Sequence, residues 1–334
     1  MNSRVFNKFI KKVDPKFIQQ YDDVSYSGNN GLRGVRTKKF VRFDSVLFYD
    51  LICELQNNPN CSYDTYVNEL IKENYIPNHI SVLEKKDNGL MSSKDEFGLG
   101  HFKDVIASRI LNMFGCPTAY ETIFNIDGEV VNCSVDFGRI DEDFYILGSM
   151  IPMHKSNVNI LKNRVPEIID KLKFFCNKNG IEDCDDLISQ FIDDYCYSIL
   201  IRKYLILDSD CGYNNIGFIH NFKNNSFRLS PSFDLEYAFS FITDRHIKFT
   251  FNKEYQDDLR YLKLNNPHIL KRFLEKLQKL NVLNNGKSEF ISIVEKVVGE
   301  NKHSEKFINK LYCHVNDLIS LSDDILTKGA THES

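Results

Sequence analysis

Residues 205–239 read LILDSDCGYNNIGFIHNFKNNSFRLSPSFDLEYAF, and their order decides the fold. A long amphipathic run enters this stretch and ends at a polar loop carrying Asp208, Asp210, Asn214 and Asn215. Two short β-type runs follow, Ile216–His220 and Ser226–Ser230, joined by the turn-rich segment Asn221–Asn225. Asp234 stands just past the second run, in Pro-Ser-Phe-Asp. Helix, loop with Asp and Asn, hairpin, Asp is the order that phosphoryl transfer requires. One carboxylate sits near an attacking hydroxyl, while an amide oxygen and a second carboxylate converge on the cations that hold nucleotide phosphates.

Asp and Asn in a loop also have a plain structural use, because both favour turns and cap helices. The hairpin behind the loop and the Asp just past it tip the reading toward a metal–nucleotide site. A calcium loop is a rival, since Asp208-Ser209-Asp210 begins like an EF-hand. That loop needs Gly at its sixth position and Glu at its twelfth, and here those are Tyr213 and Ile219. Calcium is rejected.

The chain around this stretch has 334 residues, enough for two domains or one large bilobal one. Hydrophobic residues make up 42% and charged residues 26%, which is ordinary for a folded soluble protein. A net charge of −4 supplies no overall positive field, so direct nucleic-acid binding or membrane-surface binding is not expected. No apolar run reaches the length of a membrane span, and the first residues carry no secretory leader. The nine cysteines include no Cys-x-x-Cys pair, which argues against a zinc ribbon or a dithiol redox site. The odd count predicts buried thiols in a reducing cytoplasm.

Upstream, residues 1–24 predict a short helix, and the glycine cluster Ser27–Gly34 is either a phosphate loop or a surface turn. Strands are expected over Lys38–Phe43 and Ile80–Lys86, with helices over Asp44–Gln56 and Ser62–Asn74 between them. Phe102–Phe114 reads as a helix stopped by Gly115. Asp127-Gly128 predicts a tight hairpin between Thr118–Ile126 and Glu129–Phe137. Asp136-Phe137-Gly138 matches a kinase metal-binding triplet in letters only; no Asp-x4-Asn loop precedes it, and it reads as a strand end. Helices are then expected over Pro166–Asn177, Asp185–Leu205, Pro267–Leu280, Lys287–Val298 and Ser304–Leu326, with a short strand at His246–Phe251. The last residues, GATHES, read as a disordered tail. Strands and helices do not alternate regularly, so a doubly wound parallel sheet is disfavoured.

The pattern L-D-S-D-C-G-Y-N-N-I-G-F-I…F-R-L-S-P-S-F-D resembles the catalytic core of HipA-like serine/threonine kinases. That family carries an Asp-x4-Asn loop, a short hairpin and a Pro-x-x-Asp segment. The resemblance implies an α+β bilobal protein-kinase-like fold, with a small β-containing lobe over residues 1–147 and a mainly helical lobe over 148–334. It implies ATP and Mg²⁺ as cofactors, with ATP in the cleft between the lobes. Asp210 would orient and deprotonate the acceptor hydroxyl, and Asn215 and Asp234 would hold Mg²⁺. The family usually has Asp-Arg-His or Asp-Gly-His in the loop, whereas this chain has Asp210-Cys211-Gly212. Residues 1–79 match the family poorly.

The remaining parts implied are a nucleotide-binding Lys on a strand and an acidic partner on the first-lobe helix. Lys85 and Asp104 take those roles, with Lys86, Lys38 and Lys39 as competing cations. The acceptor implied is a Ser or Thr of a protein substrate, with an antitoxin or regulatory protein as a further partner and a cytoplasmic location. Two rivals remain from the residues: a kinase-fold enzyme acting on a lipid or small molecule, and a catalytically inactive binding module that keeps the fold.

Overall fold

The computed structural model describes residues 11–13, 18–20, 37–44, 79–86, 97, 99–135, 141–151, 160–240, 245–280 and 289–328. The chain is an α+β protein whose contacts divide it into two compact units. Met1–Phe137 with Ser292–Phe307 form the first, and Gly138–Ile291 with Ile308–Ser334 form the second.

The first unit is built on a six-stranded sheet in the order β1-β5-β6-β4-β3-β2. Its strands are β1 (Lys11–Val13), β2 (Ile18–Gln20), β3 (Thr37–Asp44), β4 (His79–Lys86), β5 (Glu121–Ile126) and β6 (Glu129–Val135). All pairings are antiparallel except β1 with β5. The β5–β6 hairpin turns on Asp127 and Gly128 with φ of 52° and 84°, the double positive φ that a two-residue turn of matching twist demands. Helix α1 (Phe102–Met113) packs on β5 and buries Phe102, Val105, Ile106, Ile110 and Leu111. Its Ser108 meets Thr118 at 2.8 Å and donates to the Ala119 carbonyl. Within residues 1–24, where a short helix was expected, the described Lys11–Val13 and Ile18–Gln20 are strands: β1 pairs along Phe124–Ile126 and β2 along Val41–Phe43. Backbone pairing at the two sheet edges overrides the local apolar pattern. The expected helices over 44–56 and 62–74, the glycine cluster, the Asp-Phe-Gly triplet and the tail lie outside the described residues.

The second unit is mainly helical. Its three-stranded sheet, β7-β8-β9, comprises β7 (Glu142–Ile146), β8 (Gly217–Asn221) and β9 (Ser226–Leu229). Strand β7 was not expected; it lies antiparallel to β8 with Tyr145 opposite Phe218. The helices are α2 (Leu147–Met150), α3 (Leu161–Asn179), α4 (Cys184–Ile199), α5 (Arg245–Asn265), α6 (Pro267–Lys279), α7 (Glu289–Val298) and α8 (Lys302–Lys328), with part of α7 and the start of α8 in the first unit. Helix α3 begins five residues before Pro166, so that proline lies inside the helix and not near its first turn. The Asp258 carboxylate accepts the Leu161 N–H at 2.6 Å and fixes this earlier start. At its other end Gly180, with φ of 64°, closes the helix in the left-handed conformation.

His246–Phe251 is not a strand but the first turns of α5. The alternating residues suggested a strand; Tyr255, Leu259 and Leu262, all buried, continue the segment at helical spacing. Phe249 is left 72% exposed, while Phe251 packs against Tyr204 and His314.

The hairpin β8–β9 is anchored by aromatic packing. Phe218, fully buried, stacks on Tyr145 at 5.0 Å and meets Phe175, Phe191 and Phe227 edge-on. Each such pair contributes about 0.5–1.5 kcal/mol beyond area burial. The turn of the hairpin docks on the end of α3, where Asn225 donates to the Gly180 carbonyl at 3.1 Å. Nearby, Cys176 and Cys184 form a disulfide that joins α3 to α4. The expectation of reduced thiols fails for this pair, which the α3–α4 connection brings together; Cys116, Cys133, Cys196, Cys211 and Cys313 are free. Among the described residues no helix is long and apolar enough to cross a membrane.

Candidate active site

Helix α4 does not end in the loop directly; it runs on into six further residues, Leu200–Leu205, that wind as a π-helix. Ile206 N–H reaches the Ile201 carbonyl, five residues back, at 3.0 Å. Such wide turns occur mostly as local insertions and often mark functional sites. This one is fastened on three sides. Lys203 pairs with Glu254 at 2.9 Å, the Tyr204 hydroxyl donates to Asp258 at 2.5 Å, and His314 meets the Tyr204 carbonyl at 2.6 Å. Leu207 then takes a φ of 51°, sparsely populated for a leucine, and turns the chain into the loop.

The loop is held from below by two buried arginines. Arg202 donates from Nε and Nη2 to Asp208 Oδ2 at 2.9 and 2.5 Å, and from Nη1 to the Asn215 carbonyl at 2.7 Å. Burial is the largest single effect and works against its charge, but Asp208, Cys211 and Asp234 together outweigh it and raise its pKa. Asp208 Oδ1 accepts the Asp210 N–H at 3.1 Å. Arg164, from α3, donates to the Cys211 carbonyl at 3.3 Å and lies 5.2 Å over the Tyr213 ring. Gly148 packs closely on the 3₁₀ turn Tyr213–Asn215: a Cβ there would lie 3.2 Å from the Asn214 backbone N and would displace the Asn214 side chain.

Within this frame the Asn215 side chain donates to both the Asp210 carbonyl and Asp210 Oδ2, each at 2.9 Å. With its Nδ2 committed to Asp210, Asn215 Oδ1 accepts no hydrogen bond from a described residue. Asp234 is brought alongside by the chain that follows it. Ser209 N–H bonds to the Tyr237 carbonyl, Phe239 N–H to Ile206 and Ser240 N–H to Leu207, at 3.4, 2.6 and 3.3 Å. Asp234 itself has φ of 55°, a conformation uncommon outside glycine. The Asp210 pKa is raised: burial is the largest cause, Asp208 and Asp234 add to it, and the Asn215 hydrogen bond and Arg202 oppose it. Asp210, Asn215 and Asp234 therefore gather at one place in the second unit.

In the first unit, Lys85 on β4 is buried and forms an ion pair with Glu121 on β5 at 3.5 Å. Asp104 on α1 is also buried and accepts from Asn132 Nδ2 at 2.5 Å; Asn132 on β6 stands opposite Lys85 in the sheet. Of the competing cations, Lys38 stands opposite Lys85 and Lys39 opposite Glu84, while Lys86 ends β4.

Sequence reading missed Arg202, Arg164, Asp208's anchoring role and Glu121. An arginine in an amphipathic run reads as a solvent-facing residue, and Glu121, inside the expected strand Thr118–Ile126, carries no local sign of a partner on β4. Among the described residues no group of three or more His, Cys, Asp or Glu side chains is arranged to hold a metal. The oxygen set of Asn215 and Asp234 is of the hard type that Mg²⁺ prefers, and Mg²⁺ is commonly bound by few protein ligands together with phosphates.

No family model matches the chain, and no curated protein sequence matches it. Among solved structures it is similar to a Helicobacter pylori proinflammatory kinase, CtkA, at a TM-score of 0.45 and 16% identity, covering 78% of this chain and 90% of that one. It is also similar to a chain of the Shewanella oneidensis MR-1 toxin–antitoxin assembly of HipA, HipB and operator DNA, at a TM-score of 0.40 and 10% identity. That match covers 74% of this chain, which spans 58% of the chain it matches.

Proposed function

We propose that the chain is an ATP- and Mg²⁺-dependent phosphotransferase, a HipA-like serine/threonine kinase that transfers the γ-phosphoryl group to a protein hydroxyl. One observation carries the reading: Asp210 and Asn215, five residues apart, are hydrogen-bonded to each other beside Asp234. Asp210 takes the proton of the acceptor hydroxyl and orients it for attack. Asn215 Oδ1 and the Asp234 carboxylate would hold the metal. Bound Mg²⁺ supplies charge neutralisation of the phosphate oxygens. Lys85 is the nucleotide-binding cation of this proposal, with Asp104 and Glu121 among the acidic groups that keep it in place.

The test is a melting experiment with and without nucleotide. A ligand that binds only the folded state stabilises by about 2.7 kcal/mol at 100 times its Kd. Mg-ATP is expected to raise the melting temperature, and ATP with a chelator to raise it less. No shift with Mg-ATP contradicts the reading.

A further inference from the structure

Arg202 lies in the π-helical turn that follows α4 and has no direct part in the proposed reaction. It is nonetheless the largest fully buried side chain of the described residues, 1% exposed. Its three hydrogen bonds are not spread over the core. Two go to Asp208 and one to the backbone of Asn215, the two ends of the loop that carries Asp210. Asp208 in turn holds the Asp210 N–H, and Asn215 holds the Asp210 carboxylate. The four residues close a ring: Arg202 to Asp208, Asp208 to Asp210, Asp210 to Asn215, and Asn215 back to Arg202.

We infer that Arg202, through Asp208, is the positioning residue that sets the separation of Asp210 and Asn215. The inference rests on the proposed kinase reading and adds to it the group that aligns base and metal-binding amide. The guanidinium is suited to this because it is planar and presents several donors at fixed angles. A lysine ammonium replaces the charge toward Asp208 but cannot reproduce the planar fork that also reaches the Asn215 carbonyl. The π-helix contributes as well: its wider turn lies directly before the loop, and Lys203 and Tyr204 are tied to α5 and α8 on either side of it. Supporting residues around metal-binding groups cost about 10–100-fold in affinity or activity when removed, and a misplacement of ~1 Å at a reacting centre costs about 100-fold.

The experiment compares wild type, Arg202→Lys, and the double variant Arg202→Met with Asp208→Asn. The double variant removes both buried charges together, so no lone charge is left in the core and folding is retained. Three quantities are read: melting temperature, kcat for phosphotransfer, and the affinity for ATP with and without Mg²⁺ by calorimetry. The expected result is folded protein in both variants. The double variant loses about 100-fold in kcat and Arg202→Lys about 10-fold. The Mg²⁺-dependent gain in ATP affinity falls about 10-fold in the double variant, while Mg-free affinity is unchanged. A purely structural arginine would leave kcat and the Mg²⁺-dependent gain within threefold of wild type in the folded double variant, and that overturns the inference while the kinase reading stands. Wild-type protein with neither phosphotransfer nor ATP binding overturns the kinase reading and this inference with it.

Discussion

Asn215 spends both of its side-chain donor contacts on Asp210, one on the carboxylate and one on the backbone carbonyl, each at 2.9 Å. That arrangement fixes which way the amide faces. Its nitrogen is turned to the carboxylate and its oxygen away from it, so in the proposed reaction one residue would steady the base and offer a neutral oxygen ligand. The Arg202–Asp208 pair beneath the loop maintains the arrangement.

Crowding of carboxylates at this place has a consequence for stability. The Asp210 pKa is raised from its ordinary 3.8, chiefly by burial. A carboxyl whose folded pKa exceeds its unfolded one favours folding when protonated, and that contribution is lost as pH rises through the folded pKa. At neutral pH the ionised Asp210 therefore subtracts from stability. Asp210→Asn is expected to melt higher than wild type at pH 7, with the difference closing as pH falls through the raised folded pKa toward 3.8. Melting curves across that range check it; a variant that melts lower at pH 7 contradicts it.

The Lys85–Glu121 pair makes the opposite prediction. Both residues are buried, and their charged atoms are 3.5 Å apart. Removing one partner of a buried pair costs about 3–5 kcal/mol. Glu121→Gln is expected to lose stability in that range by denaturant titration, and to weaken ATP binding. Replacing Lys85 and Glu121 together with Met and Leu should restore the stability but not the binding.

The Cys176–Cys184 disulfide closes a short loop, with a sequence separation of 8. A loop of that size stabilises by roughly 2–3 kcal/mol in the chain-entropy account. Cys184→Ser is expected to lower the melting temperature in non-reducing buffer and to have no effect in excess thiol reductant. Equal melting of wild type in both buffers is the contrary result.

Much of the site was legible because its signals are local. The Asp-Asn loop, the turn residues Asn221–Asn225 and the alternation on either side announce a loop, a hairpin and a following Asp. The hairpin at Asp127-Gly128 was legible for the same reason. What stayed hidden depends on partners distant in sequence. Arg202 and Arg164 are charged residues on amphipathic helices, and nothing near them shows that Asp208 or the Cys211 carbonyl will bury them. Strand β7, Glu-Asp-Phe-Tyr-Ile, is too acidic to signal a strand, and it exists because β8 pairs with it. His246–Phe251 alternates like a strand, yet it continues a helix whose buried side begins later, at Tyr255.

The central claim is that Asp210, Asn215 and Asp234 form one phosphotransfer site, and γ-labelled ATP tests it most directly. Wild-type protein incubated with Mg²⁺ and labelled ATP should incorporate label or transfer it to a protein substrate. Asp210→Ala, Asn215→Ala and Asp234→Ala should each reduce labelling by at least about 100-fold while remaining folded. Wild-type protein that takes up no label, transfers none and shows no thermal shift with Mg-ATP would contradict the account, as would undiminished labelling in the three variants.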